Sequence, residues 1–333
     1  MRLSVIACGY LGAVPGAAMA SIGHDVVGID VDERKIASLS EGRAPFFEPG
    51  LQDILTAGLA SGRLRFTTDI GAAAGSSVHF IGVGTPQQQG AYAADLGFVN
   101  AAMEALVPHL RPGDIVAGKS TVPVGTAESL APQVASSGAT LVWNPEFLRE
   151  GWAVQDTIDP DRLVAGVPGG PEGERAAQIL RAVYHPSIDK GTPFIVTDYA
   201  TAELVKVSAN AFLATKISFI NAMAEIAEAT GADVTQLADA IGHDARIGRR
   251  FLGAGIGFGG GCLPKDIRAF SARAEELGKG ESVAFLREVD AINLRRRERA
   301  VELVTNALGG SAVGKKVAVV GAAFMPLTDG IPD

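Results

Sequence analysis

The sequence is poor in cysteine, in aromatic residues and in basic charge. Its two cysteines, Cys8 and Cys262, are too few and too far apart to build a disulfide framework or, by spacing, a metal site. That scarcity fits a reducing compartment, so the chain reads as cytoplasmic. Aromatic content is 6%, and the chain holds 41 glycines. Both speak against an all-β protein and for an Ala/Gly-rich α/β enzyme. The chain carries 29 basic residues against 37 acidic ones, a formal charge of -8. This balance argues against a nucleic-acid partner, while leaving room for a basic pocket that takes a phosphorylated ligand. No apolar run reaches membrane length. The apolar N-terminus "MRLSVIACGYLGAVPGAAMA" reads as a strand, a glycine turn and an Ala-rich helix rather than a signal peptide, and charge arrives by Asp25. What is abundant is apolar mass: at 47% hydrophobic, 333 residues suffice for two or three domain cores.

The first half alternates strand and helix. "LSVIA", "HDVVGID", "LRFTT", "VHFIGVGTP", "DIVAGKST", "TLVWNPE", "RLVAGV" and "PFIVT" read as strands, with helical stretches between several of them, including 96–110 and 171–184. This pattern predicts a doubly wound, Rossmann-like parallel sheet, with ligands at the carboxyl ends of its strands. Between the first two strands, Ala7-Cys8-Gly9-Tyr10-Leu11-Gly12 stands where G-x-G-x-x-G is expected, its first glycine replaced by alanine. The replacement predicts a turn modestly crowded by a methyl group. Asp30 ends the second strand, 18 residues beyond Gly12. An acid there bonds a ribose 2′-hydroxyl and repels a 2′-phosphate, which favours NAD over NADP. Arg34 and Lys35 lie nearby; Arg34 reads as a solvated helix residue. Three strands end in polar punctuation, at Thr85-Pro86, at Ser120-Thr121-Val122-Pro123 and at Asn144-Pro145-Glu146. Together they suggest the lip of a cofactor site.

A long Ala-rich helix follows, "DYATAELVKVSANAFLATKISFINAMAEIAEATG", free of Gly and Pro until Gly231. A helix of this length predicts a spine or a dimer core. Lys206 and Asn210 are spaced i, i+4 and share one face. Their apolar neighbours Val205, Val207, Ala209, Ala211 and Phe212 predict that the face is buried. A buried Lys beside an amide can stabilise an oxyanion. In "GIGFGGGCLPKD" (255–266) Pro264 fits a first helical turn, placing Cys262 at a helix N-terminus. There the helix dipole favours a thiolate, and Lys265 adds positive potential. The preceding glycines leave backbone amides uncovered for a polar ligand. Asp266 lies four residues beyond the thiol.

Taken together, "GYLG", "DVDERK", "FFEPGL", "GTP", "STVPVGT", "NPEFLREG", "AELVKVSANAFLATKISFINAMAEI", "DARIG" and "GFGGGCLPKDIRAF" resemble the UDP-glucose/GDP-mannose dehydrogenase family in order and spacing, over essentially the whole chain. The stretch from Asp244 to Asp266 is more similar to the branch that oxidises UDP-glucose than to the GDP-mannose branch. The resemblance implies oxidation of a sugar C6 alcohol to a carboxylate with two NAD⁺. Cys262 is implied as the nucleophile, carrying a thiohemiacetal and then a thioester. Lys206 and Asn210 are implied to stabilise oxyanions, Asp266 and Thr121 to position water or relay a proton, and Glu150 to act as acid/base. For the nucleotide sugar the implied contacts are Glu146, Phe147, Leu148, Arg149, Glu150, Lys206, Asn210, Phe251, Leu252, Gly253, Ala254, Gly255 and Gly259. Arg246 is implied to reach the neighbouring subunit's substrate. For NAD they are Gly9, Leu11, Gly12, Asp30, Lys35, Thr85, Thr121, Glu150 and Lys265. A homodimer built on the long helix is implied as well.

The implied organisation is an NAD-binding domain over 1–197, a central helical domain over 198–312 that serves dimerisation and catalysis, and over 313–333 the start of a second Rossmann-like domain. "GKKVAVVGAAFMPLTDGIPD" reads as a strand and a glycine turn. Met325 stands where the family has a lysine, and Pro332 where it has an arginine. In the family this third domain grips the uridine diphosphate. Reading 313–333 as a truncated stub leaves three expectations: a UDP-glucose oxidiser of weak or absent activity, a non-catalytic NAD-binding dimer, or an enzyme for another sugar nucleotide such as GDP-mannose or UDP-N-acetylmannosamine.

Overall fold

The structure, a computed structural model, describes residues 1–321 together with Ala323, Leu327 and Thr328. Its strands are β1 (Arg2–Ile6), β2 (Asp25–Ile29), β3 (Leu64–Thr67), β4 (Val78–Ile81), β5 (Ile115–Gly118), β6 (Thr140–Trp143), β7 (Leu163–Gly166) and β8 (Phe194–Thr197). The helices in the first part of the chain are α1 (Tyr10–Ser21), α2 (Glu33–Ser40), α3 (Leu51–Ala60), α4 (Gly97–Leu106), α5 (Thr126–Ala135), α6 (Ala153–Ile158), α7 (Pro171–Val183) and α8 (His185–Ile188). Then follow α9 (Tyr199–Thr230), α10 (Val234–Gly242), α11 (Leu263–Glu276) and α12 (Phe285–Ala307). Two compact units result. Met1–Pro86 with Ala94–Lys206 form one; Gln87–Ala93 with the segment from Val207 through α12 form the other.

The first unit is an eight-stranded sheet in the order β3-β2-β1-β4-β5-β6-β7-β8. β2 and β3 lie on one side of β1 and β4 to β8 on the other, so β1 and β4 flank the switch point where such sheets take ligands. Ile6 is level with both Ile29 and Ile81. The residues that follow them, Ala7, Asp30 and Gly82, therefore emerge along one edge. Strand residues alternate between two apolar cores. Leu3, Val5, Val26, Phe80 and Ala117 join one, while Ile6, Val27, Ile29, Ile81 and Val116 join the other. Burial on both faces explains why these strands read as continuous apolar runs.

The sheet departs once from the predicted parallel pattern: β6 and β7 pair antiparallel, through Trp143 and Gly166. The chain from Asn144 to Arg162 thus leaves and returns at the carboxyl end of β6. It does not cross over the sheet, and this keeps "NPEFLREG" on the ligand edge.

α9 follows the sequence expectation closely. The Asp198 carboxylate accepts from the Thr201 N–H at 2.7 Å and from its hydroxyl at 2.8 Å, which caps the start. At the other end Ala232 N–H returns to the Ala227 carbonyl at 3.0 Å. One predicted detail fails. Phe212 is 66% exposed, because it lies about 200° around the helix from buried Asn210. In the second unit Ala211, Ala214, Phe258, Ile267, Leu286 and Val289 form the larger core, and Ile220, Ala238 and Leu252 a smaller one.

The strand predicted in "GKKVAVVG" does not form. Val317, Val319 and Val320 are exposed, and residues 315–320 pair with no strand among the described residues. A strand exists through its ladder, and an isolated one has nothing to bond to. Met325 and Pro332 lie outside the described residues.

Candidate active site

The turn after β1 is shaped by main-chain contact. A Cβ added at Gly12 would stand 1.7 Å from the Ala7 carbonyl oxygen, so only glycine fits there. At Gly9 an added Cβ would meet nothing within 4 Å, so the turn's backbone faces open space at the head of α1. That is a cradle a pyrophosphate suits. Ala7 has φ 71°, in the left-handed region. Alanine at this position therefore carries a cost in backbone conformation, which the sequence expectation of methyl crowding did not include.

Asp30 organises the surroundings. It accepts from Cys8 N–H at 2.7 Å, from Asp32 N–H at 3.0 Å and from Lys35 Nζ at 2.8 Å. Burial disfavours its charge, but Lys35 and the two N–H groups outweigh burial and hold its pKa below the usual carboxylate range. A carboxylate that stays ionised here is what a ribose diol needs as acceptor. The residues present thus fit NAD. Arg34 is exposed. Thr85 donates to the Thr121 carbonyl at 2.8 Å and Ser120 to the Val83 carbonyl at 2.6 Å, tying the ends of β4 and β5 together. Cys8 is fully buried, and burial, then the Asp30 charge, push its thiol pKa up.

The 144–151 segment is anchored by buried polar side chains. Lys119 Nζ pairs with Glu146 at 2.8 Å and also reaches Asn144 Oδ1 at 3.2 Å and the Tyr184 hydroxyl at 3.3 Å. Burial works against this ammonium, but the Glu146 charge outweighs it and raises the pKa. Glu48 accepts from Tyr10 and from the N–H groups of Gly151 at 2.8 Å and Ala153 at 2.7 Å, capping α6 just after Glu150. Phe147 stacks beneath two cations, with Arg162 at 4.0 Å from its ring centroid and Lys206 Nζ at 5.5 Å. Glu203, one turn before Lys206, accepts from Gly125 and Ala127 N–H groups at 2.7 Å each and ties the start of α9 to the head of α5. Not every candidate points at a ligand. Arg149 is paired with Asp156, and Leu148 packs on the sheet core.

In the second unit, Cys262 is the N-cap of α11, with Pro264 in the first turn, and it is exposed. One turn on, Asp266 is buried. Its carboxylate accepts from Asn210 Nδ2 at 2.6 Å and from Lys265 Nζ at 2.6 Å. Three predicted residues are therefore joined at one carboxylate, beside an exposed thiol on the same helix. The glycine loop before it is mostly exposed. Phe251 has φ 65°, strain of the kind that gathers at working loops. The Leu252 side chain is core, 2% exposed. Gly253 and Ala254 are exposed, and an added Cβ at Gly259 would meet nothing within 4 Å. Arg246 is exposed and paired with Asp244 two residues away.

Sequence reasoning missed the supports: Glu48, Lys119, Tyr184 and Glu203 in the first unit, and Asn221, Asn293 and Arg296 in the second. A faint signal existed. Glu48 stands alone among apolar and Pro/Gly neighbours and Lys119 directly follows an apolar strand, and a lone buried charge needs a partner. Among the described residues no group of three or more His, Cys, Asp or Glu could hold a metal ion, and no helix is long and apolar enough to cross a membrane.

Comparison with known proteins agrees with this geometry. Residues 1–188 match the UDP-glucose/GDP-mannose dehydrogenase family, NAD binding domain, and residues 200–295 match the same family's central domain. The chain is 43% identical to a UDP-glucose 6-dehydrogenase of Rhizobium meliloti over 338 residues, covering 100% of this chain and 76% of the relative. A solved UDP-glucose dehydrogenase from Pyrobaculum islandicum superposes with TM-score 0.92 at 41% identity, covering 99% of this chain and 76% of that one. A UDP-D-ManNAc dehydrogenase from Pyrococcus horikoshii superposes with TM-score 0.81 at 28% identity, covering 92% and 72%.

Proposed function

The chain belongs to the UDP-glucose/GDP-mannose dehydrogenase family, and we propose that it oxidises the C6 alcohol of UDP-glucose to the carboxylate with two NAD⁺. The observation that carries this reading is the exposed Cys262 at the head of α11, one turn from a buried Asp266 held by Asn210 and Lys265. UDP-glucose is preferred because the relatives named for it reach 41–43% identity, against 28% for the one named for UDP-D-ManNAc.

NAD⁺, when bound on the Gly9–Gly12 turn with its ribose on Asp30, supplies the acceptor for each of two hydrides. Leu11, Lys35, Thr85 and Lys265 complete the proposed cofactor contacts. The remaining work falls to the chain. Once the alcohol has become an aldehyde, the Cys262 sulfur adds to its carbon. The thiohemiacetal alkoxide is stabilised by Lys206 and Asn210. Loss of the second hydride leaves a thioester. Water, positioned by Asp266 and Thr121 and deprotonated by Glu150, cleaves it to the acid and returns the thiol. Glu146 to Glu150 and Phe251 to Gly255, with Gly259, contact the sugar nucleotide.

The proposed organisation is an NAD-binding domain over 1–197, a central domain over 198–312 and the beginning of a further domain over 313–333. Phe212, Phe219 and Ile226 are exposed on α9 at seven-residue spacing. This apolar stripe supports a homodimer through α9. We further propose that Arg246 serves the partner's site and that the chain works in the cytoplasm.

The test is NADH formation with UDP-glucose, GDP-mannose and UDP-N-acetylmannosamine in parallel. The expected result is two NADH per UDP-glucose, abolished by Cys262→Ala. NAD binding without turnover of any of the three would leave a non-catalytic NAD-binding protein instead.

A further inference from the structure

The glycine loop between α10 and α11 is exposed, yet its peptides are gripped from below. The Gly255 peptide is held at both ends. Its N–H donates to Asn221 Oδ1 at 2.9 Å, and its carbonyl accepts from Arg296 Nε at 3.0 Å. The Phe258 peptide is held likewise by one side chain. Its N–H donates to Asn293 Oδ1 at 2.7 Å, and its carbonyl accepts from Asn293 Nδ2 at 2.9 Å. Gly257, between them at φ 98°, lies so close that a Cβ would stand 2.3 Å from Asn293 Oδ1.

The gripping side chains are buried: Asn221 at 0%, Asn293 at 1% and Arg296 at 8% exposed. They come from α9 and α12, outside the glycine motif. Asn221 Nδ2 is buried without a hydrogen-bond acceptor among the described residues, while Arg296 Nη1 and Nη2 each stand 3.9 Å from a carboxylate of α9, Glu225 and Glu228 respectively. Burying an amide and a guanidinium under a loop is costly, and a loop needing only apolar packing would not carry them.

We infer that Asn221, Asn293 and Arg296 are positioning residues that fix the glycine loop's main chain in the shape that receives the sugar nucleotide. The inference rests on the substrate role proposed above for this loop. It goes further, because it assigns substrate affinity to two helices behind the loop. It also removes one contact. The Gly255 N–H and carbonyl are both engaged by the clamp, so the ligand meets its Cα face or the free amides of its neighbours.

The experiment combines amide hydrogen exchange of the 253–261 stretch with steady-state kinetics of the full chain. In Asn293→Ala the Phe258 amide should exchange at least about tenfold faster, while Gly255 keeps its protection. KM for UDP-glucose should rise about tenfold, with kcat within about threefold and KM for NAD⁺ unchanged. Asn293→Asp keeps the oxygen that accepts from the Phe258 N–H but loses the donor to the Phe258 carbonyl, so it should restore Phe258 protection and affinity only in part. Should Asn293→Ala fail to fold, Asn221→Ser gives the matching readout at Gly255. Unchanged exchange in the variants overturns the clamp, as does a parallel rise in both KM values, which is the mark of general destabilisation. If no sugar nucleotide turns over, calorimetric binding of UDP-glucose replaces KM as the affinity readout, and only the proposed activity falls.

Discussion

Two glycine turns carry the chain's two cysteines, and they are held in different ways. At residues 7–12 the main chain does most of the holding: Gly12 lies against the Ala7 carbonyl and Ala7 N–H is bound to the Ile29 carbonyl, with one side chain, Asp30, on Cys8 N–H. At 255–262 side chains from α9 and α12 do the holding. The first turn buries its thiol and exposes its backbone, while the second exposes both. The same residue types therefore yield an inert cysteine in a rigid cradle and an accessible cysteine beside an adjustable one. Contact between backbone atoms leaves no room to adapt, whereas a side-chain support can be changed one residue at a time.

Gly-to-Ala substitutions separate the two most sharply. Gly12→Ala places its methyl on a main-chain oxygen, 1.7 Å away. The expected outcome is loss of NAD binding or of the folded sheet unit, with no single second change to rescue it. Gly257→Ala meets the end of a side chain, Asn293 Oδ1, at 2.3 Å. Adding Asn293→Ala should recover part of the lost stability, leaving the roughly 1–2 kcal/mol of left-handed strain and the loss of the Phe258 clamp. Thermal unfolding of both single variants and the double checks this; strictly additive losses would show that Asn293 is not the obstruction.

The thiols come next. In the folded chain Cys262 should alkylate at least about a thousandfold faster than buried Cys8, and the two should converge in denaturant. Peptide mapping after timed iodoacetamide reads this directly, and equal native rates would undo the assignment. Below that comes Lys119→Met, which strands Glu146 beside an apolar side chain. We expect a loss of about 3–5 kcal/mol in urea unfolding. Lys119→Met with Glu146→Met should be markedly milder, since apolar replacement of a whole buried pair is often tolerated.

Much of this was legible in the sequence, for physical reasons. The strands of the sheet read as apolar runs because both faces are buried, and α9 is uninterrupted until Gly231. Cys262 was placed at a helix head by Pro264 alone. The supports were not legible, because Glu48 reaches Gly151 across more than a hundred positions and Asn293 reaches Phe258 across thirty-five. Local pattern carries no information on such pairings. The antiparallel β6–β7 pair was hidden for a related reason: strand direction depends on where a chain returns, which the strand's own residues do not encode. The valines of 317–320 show the converse, since β propensity without a neighbouring strand forms nothing.

The smallest expected effect tests how Ala7 is accommodated. Its φ of 71° costs an L-residue about 1–2 kcal/mol that glycine does not incur. Ala7→Gly removes that cost but adds about 0.4–1 kcal/mol of unfolded-state entropy. The net expectation is a gain of roughly 0.5–1 kcal/mol, a rise of about 1–3 °C in Tm for a chain of this size. The gain must appear without NAD, because the strain belongs to the empty turn. If the methyl instead crowded the ligand, Ala7→Gly would leave the ligand-free Tm unchanged and tighten only NAD binding. Ala7→Val should move the ligand-free Tm the other way, since a β-branched residue tolerates the left-handed region worse than alanine. Differential scanning calorimetry of the three proteins without nucleotide therefore distinguishes a turn strained by its own main chain from one obstructed by a side chain.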